Sequence, residues 1–362
     1  MEKIKVLIVE DSAFMRKLIT DFLSEDERFE VIGTARNGKD AIEKIKKWQP
    51  NVVTMDIEMP IMNGIDALKV IMKECPVPVI FLSSATDLGA DKTFVAMQYG
   101  AFDFIAKPSG SISLDLHKIK DELKAKITAA GTANIAKLQK STVVENDTES
   151  NTRIRTMMNQ VQIQSTLGLS WKETKKIVAI GTSTGGPRAL QCVLTNLPKD
   201  LNAPIVVVQH MPAGFTKSLA NRLNNLSEIF VKEAEDGEVL KKGTAYIAPG
   251  GYHLKVMKRG GELVASLDQT QTRNGHRPSV DVLFESLSEI TDYSTIAVIM
   301  TGMGNDGSKG LVALNKIQQT KCIAESEESS IVFGMPKAAI ATNLVDVVEN
   351  VENIAQAINK YC

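Results

Sequence analysis

Five runs of Val, Ile, Leu and Phe with little polar alternation follow one another through the first third of the chain, at residues 5–10, 30–35, 51–56, 77–83 and 102–106. A strand that is apolar on both faces needs cover on both faces, as in a parallel sheet. Helix stripes lie between the runs. Phe14, Leu18 and Phe22 recur every four residues, as do Met15, Ile19 and Leu23; Leu116, Ile119, Leu123 and Ile127 follow at three or four. Strictly alternating strand and helix over residues 1–126 predicts a doubly wound α/β domain of (βα)5 form.

The rhythm stops over 127–174, where Ser, Thr, Asn, Asp and Glu accumulate, and this stretch reads as a solvated linker. A flexible chain of about 45 residues spans roughly 35–40 Å, enough for one domain to lie on the other or swing away. From 175 the pattern restarts, with strands at 176–181, 203–210 and 295–301 and helices at 186–196, 215–226 and from 308. Shorter strand-like runs between 228 and 270 suggest a small antiparallel insertion. Residues 175–362 therefore read as a second doubly wound α/β domain. A chain of 362 residues, 43% hydrophobic, can fill both cores.

The carboxyl ends of strands in such sheets lie on one edge, where ligands bind. Glu10 and Asp11 end the first strand, Asp56 the third and Ser83 the fourth, and Lys107 follows the fifth. Two carboxylates about 4 Å apart repel by roughly 4 kcal/mol at an effective dielectric of 20. A hard divalent cation such as Mg²⁺ offsets that repulsion. Hydroxyl and ammonium on the same edge can hold a phosphoryl group placed on a carboxylate oxygen.

The segments VLIVEDS, VVTMDIEMPIMNG, VIFLSSAT and DFIAKP resemble a bacterial response-regulator receiver domain over about residues 3–124. The resemblance implies that Asp56 accepts a phosphoryl group from a partner histidine kinase. It implies Mg²⁺ on Glu10, Asp11, Asp56 and the carbonyl of Glu58, with Ser83 and Lys107 on the phosphoryl oxygens and Phe104 as the aromatic that reports the switch. Glu10 stands where many receivers have Asp, and its longer arm implies a metal contact through water.

In the second half, Gly181-Thr182-Ser183-Thr184-Gly185-Gly186-Pro187 fits G-x-S-x-G on a strand-to-helix turn. The turn suits a nucleophilic serine or a bound phosphate equally. His210 tips the balance, because it ends the strand at 203–210 and so shares the serine's sheet edge. Of the other histidines, His117 falls on a helix of the first domain, His253 in a hairpin-like region and His276 in a basic loop. Asp306 follows the strand at 295–301. Ser183, His210 and Asp306 can then act as nucleophile, base and orienting acid. Their chain order, Ser-His-Asp, differs from the Ser-Asp-His order of α/β-hydrolases.

The segments AIGTSTGGP, VVVQHMPAGFT, EDGE, AYIAPGG, HRPSVDVLFES, VIMTGMGNDG and VFGMPKAA are similar to the catalytic domain of chemotaxis protein-glutamate methylesterases over about residues 176–345. The resemblance implies phosphorylation-activated hydrolysis of glutamate γ-methyl esters on methylated chemoreceptors, with glutamine deamidation, by Ser183, His210 and Asp306. It needs no cofactor for the ester chemistry. Backbone N–H groups near Thr184 and Met303 are the oxyanion candidates. The loop with His276 and Arg277 either shapes the substrate side or simply starts the helix after Ser279.

A net charge of −1 and 5% aromatics argue against nucleic acid as a partner. Cys75, Cys192, Cys322 and Cys362 form no CxxC pair, which suits a reducing cytoplasm, and no apolar run is long enough for membrane insertion. A non-enzymatic regulator that binds an anion at the Gly-rich turn is the competing reading. A receiver-linked transcription factor would need a basic recognition helix, and the last helix, about 353–360, is not basic.

Overall fold

A computed structural model of the protein describes residues 2–84, 86–107, 113–139, 171, 174–317 and 319–362. Most of the expected linker lies outside them. The first domain runs β1 (Ile4–Val9), α1 (Ala13–Ser24), β2 (Phe29–Ala35), α2 (Gly38–Trp48), β3 (Val52–Asp56), α3 (Gly64–Glu74), β4 (Val79–Ser83), α4 (Asp87–Gln98), β5 (Asp103–Ala106) and α5 (Ser113–Gly131). Its strands form one parallel sheet in the order β2-β1-β3-β4-β5. Val6, Leu7, Ile8 and Val9 are wholly buried, as the unbroken apolar run requires. Ser12, Asn37, Asn63 and Thr86 each accept a backbone N–H with the side chain and so begin α1 to α4. Such caps contribute about 1 kcal/mol apiece.

Helix α5 continues past residue 126 because Ile127 and Ala130 are still core, and it stops at Gly131. A short helix, α6 (Ile135–Gln139), follows.

The second domain runs β6 (Lys175–Thr182), α7 (Gly186–Leu194), β7 (Ile205–Gln209), α8 (Phe215–Leu226), β8 (Phe230–Glu233), β9 (Thr244–Ile247), β10 (His253–Arg259), β11 (Glu262–Asp268), α9 (Val280–Ser288), β12 (Tyr293–Ile299), α10 (Ser308–Ile317), β13 (Thr320–Glu325), α11 (Met335–Ile340), β14 (Val347–Glu349) and α12 (Val351–Tyr361). Seven strands make a parallel sheet ordered β14-β13-β12-β6-β7-β9-β8. The small antiparallel sheet is β10–β11 alone. β8 and β9 were expected in that insertion. They instead extend the main sheet in parallel, because β9 carries four buried residues and pairs with β7.

Strand order reverses at β6, which lies between β12 and β7. Doubly wound sheets open their crevice at such a reversal.

The two domains touch along the carboxyl edge of the second sheet. Helix α4 packs on α7 and α8. The rings of Phe104 and Phe215 stack at 4.7 Å. Lys137 of α6 donates to the carbonyls of Glu327 and Ser330. Among the described residues, no helix is long and apolar enough to cross a membrane.

Candidate functional site

Ser183, His210 and Asp306 follow β6, β7 and β12, three adjacent strands. His210 Nε2 lies 2.8 Å from Asp306 Oδ2, and the His210 side chain is 4% exposed. Asp306 is 1% exposed and held by four further donors. Ser279 Oγ (2.8 Å), Asn274 Nδ2 (3.0 Å) and the amide of Asp281 (3.3 Å) reach Oδ1, and the amide of Val280 reaches Oδ2 at 2.7 Å. Burial alone would raise this carboxyl's pKa. The His210 hydrogen bond and charge, with the Val280 and Ser279 donors at the start of α9, outweigh burial and hold it well below the ordinary range. An ionised Asp306 only accepts, so Nε2 carries the proton. Nδ1, buried without a partner, is the nitrogen left to accept one. Ser183 Oγ forms no hydrogen bond to His210 among the described residues.

Thr301 and Gln209 lace the three strand ends together. The Thr301 carbonyl accepts the Ser183 amide at 3.0 Å, and its hydroxyl donates to the Thr184 carbonyl at 2.9 Å. Gln209 Nε2 donates to the carbonyls of Ser183 (3.0 Å) and His210 (3.2 Å), while its Oε1 accepts from Thr182 Oγ1. Gly302 must lack a side chain: a Cβ there would meet Ser183 Cβ at 2.8 Å and Met335 Sδ at 2.4 Å. The backbone amides of Thr184 and Met303 have no hydrogen-bond partner among the described residues.

Asp281 forms the reciprocal brace. Its Oδ1 accepts the amides of Gly307 (2.9 Å) and Gly310 (2.8 Å) at the start of α10, just as Asp306 serves the start of α9.

Arg277 is committed within its own loop, donating to the carbonyls of Gln269 and Thr270 at 2.8 Å each. The ring of His276 lies against that of His210. His253 is buried in β10 and bonds the Gln271 carbonyl. His117 falls on α5, outside the described side chains.

Behind Thr301 sits Glu325, 1% exposed, accepting the Thr301 amide at 2.7 Å and the Ser329 hydroxyl at 2.9 Å. Burial pushes its carboxyl from 4.5 up to about 7 despite these donors. The folded protein thus keeps a proton that the unfolded chain releases. The resulting stability is complete below about pH 4.5 and is lost as pH rises to about 7. Glu325→Gln removes the titration and keeps the shape. Urea unfolding should find the variant similar to the parent near pH 4.5 and more stable by about 3 kcal/mol at pH 7.5. A difference independent of pH would refute the assignment.

In the first domain, ligand oxygens of Glu10, Asp11 and Asp56 lie within 4.8 Å of one another. Lys107 Nζ sits 2.7 Å from Asp56 Oδ2 and 3.1 Å from Glu10 Oε2. Burial, then the Asp56 charge, push the Glu10 carboxyl up to about 7. Among the described residues Glu10 Oε2 is buried with the Lys107 ammonium as its ion-pair partner and no regular hydrogen bond. Three clustered carboxylates, one of them buried with an oxygen that accepts no regular hydrogen bond, fit a hard divalent cation. Glu58 lies beside them; its amide reaches Asp56 Oδ1 at 3.4 Å and its carboxylate pairs with Lys92. Ser83 lines one pocket with Asp56, Glu58 and Lys107, and its hydroxyl accepts from Thr93 Oγ1 at 2.8 Å and donates to the Gly89 carbonyl of α4.

Comparison with known proteins settles the family. Residues 178–358 match the CheB methylesterase family, and residues 6–117 match the response regulator receiver domain. A protein-glutamate methylesterase/protein-glutamine glutaminase of Geobacillus kaustophilus is 56% identical over 99% of this chain and 98% of its own. The chain belongs to the CheB methylesterase family. The Bacillus subtilis member with the same printed name is 51% identical over 98% of this chain and 97% of its own. The crystal structure of the Thermotoga maritima CheB methylesterase catalytic domain, 48% identical with a TM-score of 0.50, covers 52% of this chain and all of that one. Family membership makes the chain a hydrolase with an attached receiver.

In this family member the receiver reaches the serine turn directly. Thr184 Oγ1 donates to Asp103 Oδ2 at 2.7 Å, and Thr184 is 3% exposed. Lys126 lies 3.3 Å from the same Asp103 and also donates to the Phe104 carbonyl. Arg188, in the first turn of α7, is half-buried beneath α6. It donates to the Leu138 carbonyl at 3.2 Å, and its buried Nη1 has no partner among the described residues. Burial lowers its pKa to about 10.

Sequence reasoning overlooked Gln209, Thr301, Ser279, Asn274 and Asp281. Each lies within two residues of a recognised strand end or in the quoted HRPSVDVLFES stretch, or just before it, so position relative to the sheet edge was the available signal.

Proposed function

We propose that this chain hydrolyses glutamate γ-methyl esters on methylated chemoreceptors, and deamidates receptor glutamines, when Asp56 is phosphorylated by a chemotaxis histidine kinase. The observation that carries the reading is the His210–Asp306 pair one strand on either side of Ser183.

Ser183 Oγ attacks the ester carbonyl and gives its proton to His210 Nδ1. Hydrogen bonds of this kind often close only when substrate is bound. Asp306 keeps the proton on Nε2 and stabilises the imidazolium. The amides of Thr184 and Met303 receive the oxyanion, each contributing about 3–4 kcal/mol. His210 gives the serine proton to the departing methoxide oxygen, releasing methanol, or to the departing amide nitrogen of glutamine, releasing ammonia, and leaves an acyl-enzyme on Ser183. It then takes a proton from the water that attacks the acyl-enzyme and passes it to Ser183 Oγ as that bond breaks, leaving glutamate and free enzyme.

The resting receiver excludes substrate. Asp103 and Phe104 occupy the rim through Thr184 and Phe215, which supports an inhibitory role. Mg²⁺ on Glu10, Asp11, Asp56 and the Glu58 carbonyl would neutralise negative charge at the acceptor. Phosphorylation adds about −1.5 to −2 charge at Asp56, drawing Lys107 and freeing Ser83 from α4 to meet it. Since α4 packs on α7 and α8, this loosens the interface.

The test is methanol release from methylated receptor by the full chain, with and without a small-molecule phosphoryl donor and Mg²⁺. A coupling of about 1–3 kcal/mol predicts roughly five- to 150-fold activation. Equal rates would dispose of the gating, and no methanol in either state would dispose of the activity.

Arg188→Met should act oppositely to phosphorylation. Replacing buried charged groups by apolar ones of similar volume is often neutral or stabilising, and for the half-buried Arg188 a gain of about 1 kcal/mol is expected. Closure tightens, so unphosphorylated activity should fall several-fold while the fully phosphorylated rate changes less. A raised unphosphorylated rate would mean that Arg188 supports closure.

A further inference from the structure

His276 is left without a part in the chemistry above. Its ring centroid lies 3.8 Å from that of His210, with the planes 8° apart. The loop that carries it is fixed on every side. Arg273 and His276 exchange two backbone hydrogen bonds, at 3.0 and 2.9 Å. The Arg273 guanidinium pairs with Glu285, Arg277 ties down the carbonyls of Gln269 and Thr270, and Asn274 reaches both Asp281 and Asp306. This is a built surface against which the base rests, not a free side chain.

Two physical consequences follow from a ring held flat against another. The hydrogen bond to Asp306 fixes one point of the His210 ring but leaves rotation about that contact. A parallel neighbour at van der Waals distance removes it, so Nδ1 keeps one direction. The face of a neutral aromatic ring also attracts a cation more than a neutral group. His210 is neutral before proton transfer and cationic in the transition state. The stack therefore strengthens as the reaction proceeds, which is the requirement for catalysis rather than mere binding. Burial, and next the neighbouring His210, lower the His276 pKa to about 4, so the ring is neutral under ordinary conditions.

We propose that His276 is a positioning residue for His210, fixing the plane of the base and favouring its cationic form through the stacked faces. This rests on the Ser183–His210–Asp306 reading. It differs from a substrate contact in what it demands of the side chain, a flat ring and not a hydrogen-bonding nitrogen.

Two full-length variants, assayed for methanol release with phosphoryl donor and Mg²⁺, separate the cases. His276→Phe keeps the ring and loses the nitrogens, and His276→Gln keeps polarity and loses the ring. The expected result is a kcat about tenfold lower for His276→Gln with KM within about twofold, and His276→Phe within about threefold of the parent. Nitrogen spectra of labelled histidine should show the Nε2–H form of His210 preserved in His276→Phe and mixed in His276→Gln. The proposal is overturned if His276→Gln matches the parent, if His276→Phe falls as far as His276→Gln, or if the loss is carried by KM. Thermal unfolding of both variants confirms that folded protein is compared. His210→Ala is the companion control. If it retains activity, the triad reading itself has failed; if it is inactive while His276→Gln is normal, only the stacking role has.

Discussion

Replacing Ser183 by Ala is expected to lower kcat by roughly 10⁶-fold while leaving the fold intact. The two halves of that expectation have separate causes. Ser183 Oγ makes no hydrogen bond among the described residues, so its removal orphans no partner there, and the unfolding free energy should change by less than about 0.5 kcal/mol. In the proposed mechanism the hydroxyl is nevertheless the atom that forms the new bond to carbon. Without it, His210 has no proton to accept in the first step, and only the oxyanion donors remain to assist water. Methanol release and urea unfolding, measured on one preparation, check both parts. A variant that keeps more than about a hundredth of the parent rate would mean that water, not Ser183, is the nucleophile.

Asp306→Asn is expected to behave differently, with kcat falling by about 10⁴-fold and the fold weakened as well. Asp306 accepts from His210, Ser279, Val280, Asn274 and Asp281, and it donates nothing. An asparagine must present its NH₂ to one of these two groups of donors. Placed towards Oδ2, the NH₂ meets the Val280 amide and drives the proton of His210 from Nε2 to Nδ1, which leaves the base with no free nitrogen where it is needed. Placed towards Oδ1, it meets Asn274 and the Asp281 amide, and the negative charge that stabilises the imidazolium is gone. A buried donor left without an acceptor costs about 1–3 kcal/mol. KM should change little, because Asp306 is shielded from substrate. Combining Asp306→Asn with Ser183→Ala should reduce kcat no further than Ser183→Ala alone, since both serve one proton transfer. A multiplicative loss would show that Asp306 acts on something other than the base.

The strand ends were readable because unalternating apolar runs mark buried parallel strands, and residues just beyond them must share an edge. That placed Ser183, His210, Asp306, Asp56 and Lys107 correctly relative to their sheets. It could not orient an imidazole. The use of Nε2 by Asp306, which leaves Nδ1 as the acceptor, depends on where α9 delivers Val280 and Ser279, a matter of tertiary packing. Ser83 shares a pocket with Asp56 and Lys107, but its hydroxyl bonds Thr93 and Gly89, a rotamer that no sequence pattern specifies. β8 and β9 looked like an insertion, since four-residue strands carry too little pattern to reveal the direction of their neighbour. The Asp103–Thr184 bond joins residues 81 positions apart in different domains. No local pattern marks it, and Asp103 reads as an ordinary polar start to a strand.

The seating of Asp103 and Phe104 on the serine turn has a counterpart that runs the other way. If closing the rim disfavours the phosphorylated receiver, then anything lodged in the rim must favour it by the same factor. A receptor segment bound over Ser183 would leave Asp56 easier to load and slower to revert, so the lifetime of the signal would lengthen where there is work to be done and shorten where there is none. The clock that times the response would thus be read in part by the molecule being corrected.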